Sequence, residues 1–434
     1  MFSFKFVTNF VIMKVFKFGG ASVKDAQGVR NVSKILSLYK GQKLGVVISA
    51  MGKTTNAMEG IVQALWDRNQ SLFVERVNER RQFHLGIIEE LFSNTKAITH
   101  EIEEIFHYLI ESYESSLPDN YDFEYDQIVS IGEILSTKII TAYLDHSGHN
   151  VQWADARKLV RTNNKYREGE VNWSKTESLF NSNFISMFEN ADTLITQGFV
   201  GHTSEGLTTT LGREGSDFSA GIMAFCCNAE SVTIWKDVPG MLNADPKYFD
   251  NTIKLDKISF REAIELSYYG ASVIHPKTIK PLQNKGIPLY VKSFVDPTSE
   301  GTVIQSEMDS DHLTPSFIFK HNQALFSITP KDFSFIVEKN LSDIFERLAL
   351  ANAKINVMQN SALNFNILLD EDKIDVQEIL AVFKDSYDVR YNGGLELVTI
   401  RHYDEPTLDL VTRNKEVLLE QKTRQTARLV VKQK

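Results

Sequence analysis

The 434-residue sequence holds only two cysteines, and they are neighbours, Cys226 and Cys227. A bridge between adjacent residues is geometrically strained, so the pair reads as reduced core residues of a cytoplasmic protein. Basic charge is also short. Forty-seven Lys and Arg against 56 Asp and Glu leave a formal charge of −9, with no basic block to offset it. That balance excludes a general nucleic-acid binder, and no nucleic-acid partner is expected. No run of 18 or more apolar residues occurs, so no membrane association is expected either. Residues 1–13 are apolar and aromatic with one lysine, but lack a small-residue cleavage site; a start at Met13 is the plainer reading. No G-x-x-x-x-G-K-[ST] loop exists, so any phosphate site must be built another way. His84, His100 and His107 lack the spacing of a metal motif and read as core or solvated histidines.

What is present is the composition of an ordinary globular chain, 42% hydrophobic and 24% charged, long enough for two or three domains. The organising stretch is residues 14–23. A short apolar strand (Val15, Phe16, Phe18) runs into Gly19-Gly20, which carry no Cβ and can approach an anion closely. Lys17 places a cation just before the turn, and Ser22 offers a hydroxyl at the start of the next helix. Helical spacing over 25–38 and an apolar strand over 43–50 complete a strand–helix–strand rhythm, which predicts a parallel α/β sheet. Ligands of such sheets bind beyond the carboxyl ends of strands. Ser49, Thr54, Thr55 and Asn56 are therefore candidates for a small polar substrate.

Residues 58–113 read as mostly helical, 118–125 as a polar loop, and 126 onward as a further helix. Glu133 stands in that apolar helix, where a carboxylate is costly unless paired, so it is a candidate partner for a cationic group. Strands are expected at 151–154 and 193–199. The run Leu211-Gly212-Arg213-Glu214-Gly215-Ser216-Asp217 then opens an apolar helix. A glycine turn bearing Arg, Ser and Asp at a helix start suits anions and their metal ions. Arg213 can clamp a carboxylate, and Asp217 can orient Lys17 or a magnesium ion. After a strand at 231–235, Asp237 and Asp245 lie in a Pro/Gly loop that either grips a nucleotide or only builds turns. A first domain closes near 304, and a polar linker follows at 309–315. Beyond it, strand, helix, strand, strand, helix, strand over 324–391 is a ferredoxin-like order. Residues 395–434 read as half of a second such module.

These motifs together resemble the aspartate kinase family of the amino-acid kinase superfamily, over nearly the whole chain. Lys17-Phe18-Gly19-Gly20-Ala21-Ser22-Val23 is similar to the family's K-F-G-G-T-S-V. Residues 211–217 match L-G-R-G-G-S-D, with Glu214 in place of the first paired glycine. Asp237-Val238-Pro239-Gly240 and Ala244-Asp245-Pro246 match its nucleotide loop. Gly270-Ala271 and His275-Pro276 match G-A-K-V-x-H-P, with Ser272 in place of lysine and Lys277 as a candidate replacement.

The resemblance implies a three-layer, parallel-rich α/β catalytic domain over 13–305. An ACT-like module over 316–392 and a truncated second one over 393–434 would follow. It implies transfer of the ATP γ-phosphoryl to the β-carboxylate of L-aspartate, the first step toward lysine, threonine and methionine, with Mg2+. Lys17 and the Gly19 and Gly20 amides would stabilise the phosphoryl, with Ser22 beside them, and Asp217 would hold Lys17. Arg213, Glu133, Ser49, Thr55 and Ser216 would bind aspartate. Lys236, Asp237, Leu242 and Lys247 would bind the nucleotide, and no protein side chain is assigned as a direct metal ligand. Two rivals stand beside this: a superfamily kinase acting on another substrate, and a non-catalytic amino-acid sensor. The shortened second module predicts an uncovered sheet face and a homodimer through residues 320–434. Ala362, where an acidic residue is common, predicts weak or absent inhibition by lysine or threonine.

Overall fold

The computed structural model describes residues 11–115, 119–249, 251–271, 274–306 and 314–434. Most of the stretch 1–13, Pro118, Ser272 and residues 309–313 of the expected linker lie outside them. The chain divides into two compact units. The first is Met1–Met241, Lys254–Ser267 and Ser272–Asp311; the second is Leu242–Ile253, Tyr268–Ala271 and His312–Lys434.

The first unit runs β1 (Met13–Phe18), α1 (Ala26–Ser37), β2 (Lys43–Ile48), α2 (Thr54–Trp66), α3 (Gln70–Leu91) and α4 (Lys96–Ser115). It continues through α5 (Tyr121–Val129), α6 (Ile131–His146), β3 (Val151–Ala154), α7 (Trp173–Leu179), β4 (Thr193–Gln197), β5 (Val200–His202) and β6 (Thr208–Thr210). Then come α8 (Gly215–Cys227), β7 (Ser231–Lys236), β8 (Lys257–Ser259), α9 (Phe260–Tyr269), α10 (Pro276–Lys285), β9 (Leu289–Ser293) and β10 (Thr302–Gln305).

Eight strands form one sheet in the order β3-β4-β2-β1-β7-β9-β10-β8. Every pairing from β3 across to β9 is parallel, and the β9–β10 pair is antiparallel. Alternate side chains serve opposite faces, as strand geometry requires. Phe16, Phe18, Val46 and Ile48 join a buried cluster with residues of α1 to α6. On the other face Gly45 sits so close to Met223 of α8 that a Cβ there would lie 2.5 Å from its sulfur. The result is the three-layer arrangement expected. Because β1, β2, β4 and β7 are parallel neighbours, their carboxyl ends share one edge, which is where the site forms.

Two local expectations change. Asp25, not Ser22, caps α1, accepting from the Gly28 amide at 2.8 Å. Ser22 instead folds into the turn, its amide bonded to the Gly19 carbonyl. The helix expected from Asp126 begins at Tyr121, because Asn120 accepts from the Phe123 amide as an N-cap.

In the second unit β11 (Ser316–Pro330), α11 (Glu338–Leu350), β12 (Ile355–Asn360), β13 (Phe365–Asp370), α12 (Val376–Phe383), β14 (Tyr387–Arg401), α13 (Glu405–Thr412), β15 (Lys415–Lys422) and β16 (Thr426–Gln433) build one sheet. Its order is β12-β13-β11-β14-β16-β15. The boundary expected at 392/393 falls inside β14, and β11 is likewise continuous across both halves. Residues 316–320 pair with 397–401, and 325–330 with 387–392. The second module thus takes a strand from ahead of the first, which makes it interleaved rather than merely shortened. Its expected bare face is covered. Phe317, Val398, Ile400, Ala427, Leu429 and Val431 pack under Leu408 and Val411 of α13 and under Ala244 and Phe249. Sequence reading missed this because the completing strand, residues 316–320, and the covering residues Ala244 and Phe249 come from distant stretches of chain.

Candidate active site

Three strand ends and one helix start supply the polar groups. Lys17 is the penultimate residue of β1 and Lys236 the last of β7, in neighbouring parallel strands. Asp217 lies in the first turn of α8, where the helix dipole favours an anion. Its carboxylate holds Lys17 Nζ at 2.6 Å and faces Lys236 Nζ at 3.8 Å. Both Lys17 and Asp217 are buried, so the pair is shielded from water while its edge lines a cavity of about 1120 Å3.

That cavity is also lined by Gly20, Ser49, Thr55, Glu133, Arg213 and Ser216. Nine of the expected residues are therefore brought together, among them Lys17, Asp217 and all five expected to bind aspartate, whereas Gly19 and Ser22 do not line the cavity. The approach is close because side chains are missing where backbones meet. A Cβ on Gly20 would lie 2.6 Å from the Ala50 carbonyl oxygen, and Gly52 donates to the Gly20 carbonyl at 3.0 Å. Gly20 is thus required by the neighbouring turn after β2. Gly198, at the end of β4, likewise leaves room for Ser216, which would stand 2.5 Å from its Cβ. Gly19 lies beside Lys17, a Cβ there falling 3.3 Å from Nζ.

The turn before α8 is held by its own dihedrals. Gly212 has φ +76° and Glu214 φ +54°, both left-handed. Glu214 therefore occupies a conformation glycine adopts more cheaply. One of its carboxylate oxygens is buried without a hydrogen-bond partner.

Glu133 is fully buried near the start of α6, with Oε1 accepting from the Ala50 amide at 3.4 Å and Oε2 without a partner. Burial, only partly opposed by the amide and by Lys17, lifts its pKa to about 8. At neutral pH the unliganded site thus holds a protonated carboxyl that a cation would ionise.

Other expected residues fall elsewhere. Asp237 is exposed, Thr54 buried and Asn56 exposed, and none of them lines the cavity. Leu242 and Lys247 belong to the second unit. Sequence reading missed the loop 164–168, whose Lys165, Arg167 and Glu168 line the cavity. Asp126 holds this loop: it accepts from the Arg167 amide at 2.9 Å and from the Thr210 amide and hydroxyl at 2.9 and 2.6 Å. Burial raises Asp126 to about 6 against those hydrogen bonds. Only its place in an apolar helix could have flagged it.

A model of the amino acid kinase family matches residues 13–293. The lysine-sensitive aspartokinase 3 of Escherichia coli is 29% identical over 394 residues, covering 89% of this chain and 86% of that one. The crystal structure of E. coli aspartokinase III with lysine and aspartate superposes with a TM-score of 0.83 at 26% identity, covering 96% and 95% of the two chains. The same enzyme with aspartate and ADP gives 0.79 at 26% identity, covering 96% of each. With the Lys17–Asp217 pair, the parallel strand ends and the interleaved C-terminal sheet, these matches place the chain in the amino acid kinase family, among the aspartate kinases.

Proposed function

We propose that the chain transfers the γ-phosphoryl of ATP to the β-carboxylate of L-aspartate, giving 4-phospho-L-aspartate. The observation that carries this is the Lys17–Asp217–Lys236 cluster at the carboxyl edge of the sheet, opening into the cavity that also holds Arg213 and Glu133. A carboxylate is already a nucleophile, so the protein must mainly position the reactants and neutralise charge.

Lys17 and the Gly19 and Gly20 amides meet the transferring phosphoryl, with Ser22 behind them holding the turn. Asp217 orients Lys17. Arg213 takes a carboxylate of aspartate, Glu133 its ammonium, and Ser49, Thr55 and Ser216 complete that subsite. Lys236 serves the nucleotide phosphates, and Asp237 in the loop that follows it the rest of the nucleotide. Among the described residues no group of three His, Cys, Asp or Glu could hold a metal alone. The buried, unpartnered Glu214 oxygen is the kind of hard donor that fits Mg2+ beside phosphate oxygens. Bound there, Mg2+ would supply charge neutralisation on the phosphates.

The reaction would stand at the head of lysine, threonine and methionine synthesis, in the cytoplasm. No described helix is long and apolar enough to cross a membrane. We also propose a homodimer through residues 320–434. Its support is the exposed apolar set Phe333, Phe335, Val337, Phe345 and Leu350, too dense for an ordinary free surface. Inhibition by lysine or threonine is proposed to be weak, resting on Ala362.

The test is ADP release coupled to an optical readout, with and without L-aspartate, plus hydroxylamine trapping of the acyl phosphate. Aspartate-dependent ADP release with matching hydroxamate is expected. ADP release without hydroxamate, or none with aspartate, overturns the reading. Light scattering at micromolar protein tests the dimer, and a monomer there refutes it. Titration with each amino acid tests regulation, and full inhibition by sub-millimolar lysine or threonine refutes weak control.

A further inference from the structure

A second cavity lies in the first unit, of about 850 Å3, within the range of small-molecule sites. Its apolar wall is aromatic: Trp173 at the start of α7, and Phe218 and Phe225 on α8. All three rings are half-buried, leaving part of each for a ligand. Trp173 meets Phe225 edge-on at 5.0 Å and Phe218 at 6.2 Å, so they form one continuous surface.

The opposite composition comes from α10. Lys277 and Lys280 stand three residues apart on one helix and both line the cavity, as does Pro281. Both lysines are exposed, and among the described residues neither has a carboxylate within 4 Å. The acidic groups of the cavity are already engaged: Lys165 pairs with Glu168 at 3.1 Å and Glu170 at 4.0 Å. The hydrogen bond from Lys165 chiefly holds Glu168 below the usual carboxylate range, and Lys277 adds to this. The uncommitted charge beside the aromatic wall is therefore positive.

From this juxtaposition we infer that the cavity between α7, α8 and α10 binds a small planar aromatic anion, its ring against Trp173 and its charge on Lys277 and Lys280. An aromatic carboxylate and an aryl or nucleoside monophosphate share that chemistry. The site also borders the catalytic turn. Lys277 Nζ lies 3.8 Å from where a Cβ of Gly212 would stand, so an anion on Lys277 acts on charge next to that turn.

The test is calorimetric titration of the full chain with indole-3-carboxylate, its neutral amide indole-3-carboxamide, and AMP, each with the catalytic site filled by excess Mg·ADP and aspartate. Indole-3-carboxylate should bind with a dissociation constant near or below about 1 mM, as expected of a ligand this small. The amide should be weaker by roughly tenfold, the worth of one charge-assisted contact. The double variant Lys277→Gln/Lys280→Gln, on exposed positions, should erase the difference between acid and amide. Trp173→Phe should keep binding, and Trp173→Ala should weaken acid and amide alike. AMP binding that the double variant weakens would assign the nucleoside source, and its absence the carboxylate. No binding of either anion at 10 mM (about tenfold above the expected constant), or binding unchanged in the lysine double variant, overturns the proposal.

Discussion

The turn after β1 and the turn before α8 both carry glycine and both reach one cavity, yet different forces hold them. At Gly20 the dihedral is ordinary and the constraint is external, since the Ala50 and Gly52 carbonyl oxygens would lie 2.6 and 2.9 Å from any Cβ. At Gly212 and Glu214 the constraint is internal. Both residues are left-handed, while the nearest atom to a Gly212 Cβ, the Arg167 carbonyl oxygen, stands 3.3 Å away. One turn is fixed by what packs on it, the other by its own backbone. A side chain is therefore excluded from the first and tolerated in the second, which is where Glu214 is found.

The largest effect should come from the charges that the two turns bring together. Lys17→Ala and Asp217→Asn should each cut kcat by about 100-fold or more. They should differ in stability. Removing Lys17 leaves Asp217 with Lys236, whereas Asp217→Asn leaves two lysines facing each other and should cost about 3 kcal/mol. Turnover and urea unfolding of both variants separate these outcomes, and near-normal turnover in either removes the pair from the chemistry.

Next comes Gly20→Ala. One methyl group against two carbonyl oxygens should cost about 1–3 kcal/mol and disturb turnover as well. If Gly20→Ala proves as mild as Gly212→Ala, the contrast between external and internal constraint fails.

A more selective effect is expected at Arg213 and Glu133. Either residue changed to alanine should raise the KM for aspartate roughly tenfold or more, with little change for ATP. Glu133 adds a pH signature. Its raised pKa means that the unliganded fold loses stability as pH climbs from the unfolded carboxyl's value toward 8, because an ionised group must then stay buried. An ammonium ligand reverses this, so aspartate binding should release up to one proton near pH 7 and tighten as pH rises to about 8. Calorimetry in buffers of different ionisation enthalpy measures the proton. Release unchanged in Glu133→Gln would reject the assignment.

The smallest effect on stability is at Glu214. Gly there relieves the left-handed strain but loosens the unfolded chain, so Glu214→Gly should shift stability by less than about 1 kcal/mol, while Glu214→Val should lose more. Urea midpoints decide between them, and equal losses would mean that packing, not dihedral, governs this turn.

Much of the site was legible because its parts sit at strand ends. Apolar strands running into Gly19, Ser49 and Lys236 announce parallel neighbours, and parallel neighbours put those ends on one edge. Arg213 and Asp217 were legible from the glycine turn at a helix start. What stayed hidden depends on contacts without local pattern. Asp126 looked like the opening of a helix because its three donors, on Arg167 and Thr210, lie about 40 and 84 residues away. The loop holding Lys165 and Glu168 has no periodicity to read. In the C-terminal sheet, 316–320 pairs with residues some 80 positions later, and a strand whose partner is that remote has no signature of its own.

That pairing also sets an order in time. As the chain leaves the ribosome, residues 316–320 emerge first and have no strand of their own module to join. Residues 324–391 can close their α-β layers meanwhile, since every strand of that inner module has by then been made. Only when 395–401 and then 415–433 are synthesised do the waiting strand and the outer sheet edge find partners. The inner module is thus nested within the outer one like a bracketed clause. Ribosomes stalled just past residue 391, with the exit-tunnel length added, would carry a finished half beside an unclosed one.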